Sequence, residues 1–186
     1  MTDMSALWMP LVLSAVVVFF VSSLIHMVSG FHTDDYLAPP NQDGVGDALR
    51  QFNIPPGDYM IPKPQSMKEM GSAEFKAKAD RGPRVVLTVM PNGMTSMGPL
   101  LAQWFVYSLA VSAFSAYIAS RALGPQADYL SVFRFVGAAA FLGYAGALWQ
   151  AYIWFGKGLG LTIRATVDGL IYALLTAGCF GWLWPR

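Results

Sequence analysis

Five polar side chains lie near the ends of long apolar stretches, where an ionisable or hydrogen-bonding group is costly to bury. They are His26, Gln103, Gln150, Arg164 and Asp168. Ionisable groups inside apolar spans usually serve a function, because their desolvation is otherwise uncompensated. If four apolar helices bring these residues to a similar depth, they form a polar layer. Such a layer could bind a small molecule, a lipid head group, a quinone or a proton.

The same residues also allow a purely structural interpretation. Arg164 and Asp168 are four positions apart, on one helix face, and could neutralise each other, or Arg164 could extend to the membrane surface. Gln103 and Gln150 could join neighbouring helices through hydrogen bonds. His26 could bond a backbone carbonyl or interfacial water. The sequence leaves both interpretations open.

The sequence gives little support for a haem, a metal site or a catalytic site. The only two histidines, His26 and His32, lie six positions apart near one helix end, which argues against a haem held by histidines of opposing helices. With Asp34 and Asp35 they offer nitrogen and oxygen ligands, but their spacing matches no metal motif, and we predict neither a metal site nor a cofactor. The sequence also contains no hydrolase, zinc-protease, nucleotide-loop or kinase motif, so we predict no catalytic residue.

The single cysteine, Cys179, cannot form an intrachain disulfide.

Four apolar stretches must position the polar residues. Of the 186 residues, 55% are hydrophobic and 12% charged, whereas a soluble domain has about 25% charged residues. A helix crosses a bilayer with about 20 mostly apolar residues, and the stretches 7–30, 99–120, 131–155 and 159–184 reach that length. We therefore predict an all-α integral membrane protein with a four-transmembrane-helix bundle. The composition argues against a disordered chain, a nucleic-acid-binding protein and an ordinary cytosolic enzyme.

The region from His32 to Gly98, between the first two stretches, differs in composition. It contains 7 of the 12 Lys and Arg residues and 8 of the 11 Asp and Glu residues. We predict a small α+β extramembrane insertion here, with domain boundaries at 1–31, 32–98 and 99–186. Its thin apolar surface suggests that it rests on the helix ends as a cap over the polar layer rather than folding alone.

Local signals within the insertion predict short elements. A helix should begin near residue 43, capped by Asn41 or Asp43. Strands are predicted at 59–61 and 84–90. Ser66 and Glu69 have the spacing of a capping box, and the helix that follows is predicted to continue through Lys78.

Small residues recur every four positions along three of the apolar stretches, which would let helix backbones approach closely. We predict that these residues form helix-packing faces, some of them directed at another chain. They are Ser108, Ser112, Ala116 and Ser120 in the second stretch, Ala139, Gly143, Ala147 and Ala151 in the third, and Gly169, Ala173, Ala177 and Gly181 in the fourth.

The connections at 121–130 and 156–158 are short, so the last three helices should be antiparallel neighbours. An even number of spans places both termini on one side of the membrane and the insertion on the other. Lys and Arg near the helix ends are more numerous on the insertion side, which favours a cytoplasmic insertion in a bacterial-type inner membrane. The opposite side carries Arg121, Arg134 and Arg186, and the first two favour the reverse orientation.

The function predicted from these features is non-catalytic: an accessory, structural or assembly subunit of a larger membrane protein complex. The expected partners are membrane lipids and other integral membrane subunits or a second copy of the chain, with no nucleic acid. One alternative is a small oligomeric transporter or channel component, although we predict none of the interruptions found in discontinuous transporter helices. Another is a membrane protein that binds a lipid or quinone in the polar layer.

Overall fold

The computed structural model describes residues 1–185, so Arg186 and its part in the predicted orientation lie outside the described residues. The chain forms two compact units, one of Met1–Tyr36 with the residues from Ser96 onward and one of Leu37–Thr95. In chain order the elements are a 3₁₀ helix (Met4–Leu7), α1 (Trp8–Met27), α2 (Gln42–Arg50), β1 (Gly57–Ile61), α3 (Met67–Met70), α4 (Ala73–Arg81), β2 (Val85–Val89), α5 (Met97–Ala122), α6 (Tyr129–Ala145), α7 (Leu148–Phe155) and α8 (Leu159–Leu183).

The first unit consists of packed helices. Within residues 1–185, four helical stretches are long and apolar enough to cross a membrane, namely Met4–Met27, Met97–Ala122, Tyr129–Phe155 and Leu159–Leu183. This confirms the prediction of four long apolar helices. They pack as a ring in which α1 and α6 each lie between α5 and α8, so helices joined by short connections are neighbours.

Two apolar clusters fill the ring. The first surrounds Phe180 and Trp184 near the end of α8 and includes the fully buried Leu7, Val132 and Val136. The second lies toward the other end of the bundle and contains Val18, Val111, Ala140, Tyr144, Tyr172 and Ala173.

The small residues of α5 face the interior. Ser108, Ser112, Ala116 and Ser120 are all fully buried. The hydroxyl oxygen of Ser112 lies 2.9 Å from that of Ser14 on α1, so one donates a hydrogen bond to the other. A short side chain with its own hydrogen bond lets these two helices approach closely.

The small residues of α8 also pack inward. Gly169, Ala173 and Ala177 are buried, whereas Gly181 is half-buried. A Cβ atom added to Gly169 would lie 2.8 Å from the Cβ of Ala145. Glycine at position 169 is therefore required for the close approach of α6 and α8.

The third set of small residues is oriented differently. Ala139 and Ala151 are half-buried, and Gly143 and Ala147 are exposed, although Gly143 still admits Val111 of α5 to 3.0 Å from where its Cβ would lie. The buried line of α6 is instead formed by residues one position further along the chain, which are Val132, Val136, Ala140 and Tyr144.

The third apolar stretch is not one continuous helix, contrary to the prediction for 131–155. Gly146 and Ala147 separate α6 from α7. The hydroxyl of Tyr107 on α5 donates a 2.6 Å hydrogen bond to the carbonyl of Gly143, the acceptor that the amide of Ala147 would use in an unbroken helix. A side chain that enters the helical hydrogen-bond ladder is a recognised cause of a kink. The break contains neither a proline nor paired polar residues, so it is not the kind of interruption considered for discontinuous transporter helices.

The second unit contains a two-stranded sheet. Strands β1 and β2 pair in antiparallel register from Gly57 opposite Val89 to Ile61 opposite Val85, which confirms both predicted strands. The hydroxyl of Thr88 donates a 2.6 Å hydrogen bond to the Asp58 carboxylate across the pair.

Polar caps decide where the helices of this unit begin. The side chain of Asn41, rather than that of Asp43, accepts from the Gly44 amide at the start of α2. The Ser66 hydroxyl accepts from the Glu69 amide and caps α3, as predicted.

The helix predicted to run from Ser66 through Lys78 is in fact two helices. Residue Gly71 follows the end of α3, and the Ser72 hydroxyl starts α4 by accepting from the Phe75 amide. A serine that can cap a new helix competes with its continuation, because its hydroxyl satisfies an otherwise free backbone amide.

Candidate functional site

The end of α1, the segment that follows it and the beginning of α8 bring charged side chains together. Helix α1 supplies His26, the following segment supplies His32 and Asp35, and α8 supplies Arg164 and Asp168. These five residues are called the His–Asp cluster below. All of them belong to the helical unit.

The chain reverses after α1 so that the two histidines meet. Gly30 has a φ of +68°, a conformation that glycine adopts without steric cost, and the Thr33 amide donates back to the Gly30 carbonyl. The imidazole rings of His26 and His32 then stack with centroids 4.2 Å apart and an interplanar angle of 24°.

Asp168 is the buried carboxylate of the cluster, with 4% of its surface exposed. Its Oδ2 lies 2.8 Å from Nε2 of His32 and 3.8 Å from Nε2 of His26. The hydroxyl of Tyr172, one turn further along α8, lies 3.3 Å from the same His26 nitrogen. Among the described residues, Oδ1 of Asp168 has no hydrogen-bond partner.

Asp35 links His32 to Arg164. Its carboxylate lies 2.6 Å from Nδ1 of His32 and accepts a 2.6 Å hydrogen bond from Nε of Arg164. Arg164 also reaches the backbone carbonyl of Asp34 at 3.4 Å. Burial alone would raise the pKa of Asp35, but the hydrogen bonds from His32 and Arg164 outweigh it and hold the pKa below its usual value. Asp35 is therefore an ionised carboxylate that orients both neighbours.

The predicted pairing of Arg164 with Asp168 is not what the structure shows. Arg164 pairs with Asp35, and Asp168 faces the two histidines. The cation precedes the anion along α8, which is the less favourable order for a helical i,i+4 pair. Side chains on a helix also lean toward its N-terminus, which directs Arg164 away from residue 168.

The five predicted polar residues do not all meet. His26, Arg164 and Asp168 belong to the His–Asp cluster. Gln103 and Gln150 are exposed, and within residues 1–185 neither glutamine is hydrogen-bonded to the cluster. The sequence analysis considered His32 and Asp35 only as possible metal ligands and did not include them in the polar layer, although their i,i+3 spacing after Gly30 was a usable signal.

Four aromatic residues extend the site into the bundle. Trp104, Tyr107, Tyr144 and Tyr172 have ring centroids 5.5–6.2 Å from their neighbours. Trp104 is fixed to α1 by a 2.8 Å hydrogen bond from its indole nitrogen to the Ser22 hydroxyl. Because Tyr172 also contacts His26, this aromatic group borders the His–Asp cluster directly.

The charge of the cluster favours a cation. Asp35 and Arg164 offset each other, which leaves the carboxylate of Asp168 beside two imidazoles. Ligand atoms of His26, His32 and Asp168 all lie within 4.8 Å of one another. This arrangement can hold a proton or a metal ion.

No protein-family model, curated protein or solved structure matches this chain.

Proposed function

We propose that the protein is a multi-pass integral membrane protein of a bacterial-type inner membrane, with its 32–98 segment in the cytoplasm. One observation carries the membrane assignment: large apolar side chains face outward and small polar ones face inward. Phe20, Phe114 and Leu142 are 62%, 72% and 69% exposed, whereas Ser14 and Ser112 are fully buried. This distribution suits a bundle whose surroundings are apolar, because exposed residues of that size are costly only in water.

Within that membrane, the role we propose is non-catalytic: an accessory, structural or assembly subunit of a larger complex. The short helix α7 supports this role. Seven of its eight residues are apolar, and none is buried. Trp154 is 75% and Phe155 54% exposed. Aromatic residues of this kind suit both the membrane interface and the contact surface of another membrane subunit.

The proposal is tested by extracting the full chain from its native membrane with a mild detergent and measuring the mass of the intact assembly. We expect a complex larger than the monomer. The double substitution Trp154→Ala with Phe155→Ala should release the chain from that complex. Phe20 on α1 is 62% exposed, between the two test residues, and Phe20→Ala should leave the complex intact. A strictly monomeric protein without a partner would refute the proposal.

A second candidate function is a small oligomeric transporter or channel component. The buried Asp168 with its unpartnered oxygen favours this candidate, because such groups often lie on ion pathways. Flux in proteoliposomes should then fall on Asp168→Asn and persist in Asp34→Asn. Equal flux in both variants, or no flux at all, rejects it.

A further inference from the structure

We propose that His26, His32 and Asp168 form a binding site for one divalent transition-metal ion, for which zinc is the probe. The three ligand atoms are Nε2 of both histidines and a carboxylate oxygen. They come from three separated parts of the helical unit and converge within 4.8 Å of one another. Only tertiary contact brings them together, which is why their spacing along the chain matches no metal motif.

Two of the three distances between ligand atoms are close to those around a tetrahedral ion. Zinc binds histidine nitrogen and carboxylate oxygen at about 2.0–2.2 Å, so two ligands of one tetrahedron lie about 3.4 Å apart. The distances from Oδ2 of Asp168 to Nε2 of His32 and His26 are 2.8 and 3.8 Å. They lie on either side of the ideal value, and shifts of well under 1 Å would equalise them.

Two polar atoms of the site lack the hydrogen-bond partners that a purely structural cluster would provide. Oδ1 of Asp168 is buried and unpartnered within residues 1–185, and Nε2 of His32 has no aligned hydrogen bond there although Oδ2 of Asp168 is 2.8 Å away. Buried polar groups are nearly always satisfied, so each exception calls for an explanation, and a bound ion is one. Within residues 1–185 three buried side-chain atoms lack a partner, and two of them are on the proposed metal ligands. The third is the hydroxyl of Tyr144, in the aromatic group that borders the cluster.

The contact with Asp35 decides which ring nitrogen of His32 faces the metal site. Its Nδ1 faces the Asp35 carboxylate at 2.6 Å, and because a carboxylate only accepts hydrogen bonds, that nitrogen must carry the proton. Nε2 is therefore the ring nitrogen of His32 that faces Asp168, with Oδ2 at 2.8 Å. It is the nitrogen that can bind a metal ion together with that carboxylate.

Asp35 acts here as a positioning residue. A histidine that ligates a metal usually donates its other ring proton to a carboxylate, which fixes the tautomer and ring orientation. Asp35 provides that carboxylate and is itself held by Arg164. The structure thus contains the outer partner of a metal ligand as well as the ligands.

The donor set selects the kind of ion. Two imidazole nitrogens and one carboxylate oxygen suit zinc, copper and nickel, whereas Ca²⁺ and Mg²⁺ prefer oxygen ligands alone. With three protein ligands, a fourth position stays open to water or another small ligand.

The test is Zn²⁺ binding by the full chain in detergent, washed with chelator and carrying no polyhistidine tag. We expect one zinc ion per chain in equilibrium dialysis and no displacement by excess Mg²⁺. Because the chain has only two histidines, any imidazole ligands must be His26 and His32. The variants His26→Ala, His32→Ala and Asp168→Asn should each lose more than about a hundredfold in affinity, and Asp35→Asn about 10- to 100-fold.

Two variants serve as controls. Asp34→Asn changes the neighbouring aspartate, whose side chain makes no hydrogen bond or ion pair with the cluster in the described structure, and Cys179→Ser removes the only thiol. Both should bind zinc like the unmodified protein.

Helical circular dichroism and gel filtration show whether each variant is folded. If one unfolds, X-ray absorption at the zinc edge of the unmodified protein decides, since two imidazoles and an oxygen ligand are expected. The proposal is overturned by the absence of stoichiometric zinc, by binding that survives loss of either histidine in a folded variant, or by an absorption spectrum without imidazole ligands.

Discussion

The two ends of the helix bundle are built on different principles. At the end that contains the 3₁₀ helix, the chain is joined by neutral hydrogen bonds and large buried side chains. The Thr2 amide donates to Ser120, the Gln126 amide donates to Pro185, and the Trp184 indole donates to the carbonyl of Gly124. We call this the closed end.

The opposite end carries the His–Asp cluster, where buried polar atoms have no partner within residues 1–185. Natural proteins satisfy most local rules of stability and break them mainly at functional sites. The comparison therefore teaches that the closed end provides stability, whereas the opposite end retains groups that stability alone does not require.

The largest expected effect is at the closed end. Phe180 is fully buried, so Phe180→Ala should lower the free energy of unfolding by about 3–5 kcal/mol through lost contacts and a cavity. Unfolding with sodium dodecyl sulfate in mixed micelles measures this. The control is Phe114→Ala, since Phe114 is 72% exposed and should cost less than about 1 kcal/mol. Equal losses in the two variants would show that the packing around Phe180 contributes no more to stability than an exposed phenylalanine does.

A smaller effect is expected midway along the bundle. Gly169→Val should lower the free energy of unfolding by about 1–3 kcal/mol, because its side chain would clash with Ala145. Gly178 on the same helix has room for a Cβ, with its nearest neighbour 3.9 Å away. Gly178→Ala should therefore be neutral or stabilising by up to about 1 kcal/mol. The same denaturation assay separates the two variants, and similar losses in both would contradict the role given to Gly169.

One neutral hydrogen bond of the closed end can be removed without changing its apolar packing greatly. Trp184→Phe keeps an aromatic ring but removes the donor to Gly124. The free energy of unfolding should fall by about 1 kcal/mol. Hydrogen exchange should show faster opening at residues 123–126. No change in either measurement would show that this bond contributes nothing to the closed end.

The smallest effect on stability is expected at the His–Asp cluster. In metal-free protein, Asp168→Asn should change the free energy of unfolding by less than about 0.5 kcal/mol or increase it. The amide removes a buried negative charge and can donate to Nε2 of His32. A loss above about 2 kcal/mol would instead mean that the Asp168 carboxylate stabilises the metal-free fold, and the contrast between the two ends would fail.

Sequence reasoning was sufficient where a property depends on local chemistry. Stretch length and apolarity located the four long helices, and the β-branched run around Val85 located β2. It did not predict the break between α6 and α7, where the Tyr107 hydroxyl of α5 bonds to the Gly143 carbonyl. It also failed at Ser72, where a local capping signal was present but was overlooked.

The residues of the site were also predicted where local chemistry decides and missed where tertiary contacts decide. The sequence identified His26, Arg164 and Asp168, because an ionisable residue inside an apolar stretch can be recognised without knowing the fold. It could not show that Arg164 pairs with Asp35 rather than with Asp168, since that choice depends on where the chain returns after Gly30. Gln103 and Gln150 were grouped with them by depth, but depth along a helix does not specify which way a side chain faces.

By itself, the sequence determined that this chain has four apolar helices, a polar segment between the first two and a few isolated charges. These properties follow from the number of apolar and charged residues in each segment, and that number does not depend on how the chain folds. Only the tertiary structure decided which charges meet. The convergence of His26, His32 and Asp168 depends on distances of a few ångströms between atoms that are up to 142 positions apart in the chain, and those distances are set by helix packing and one glycine turn.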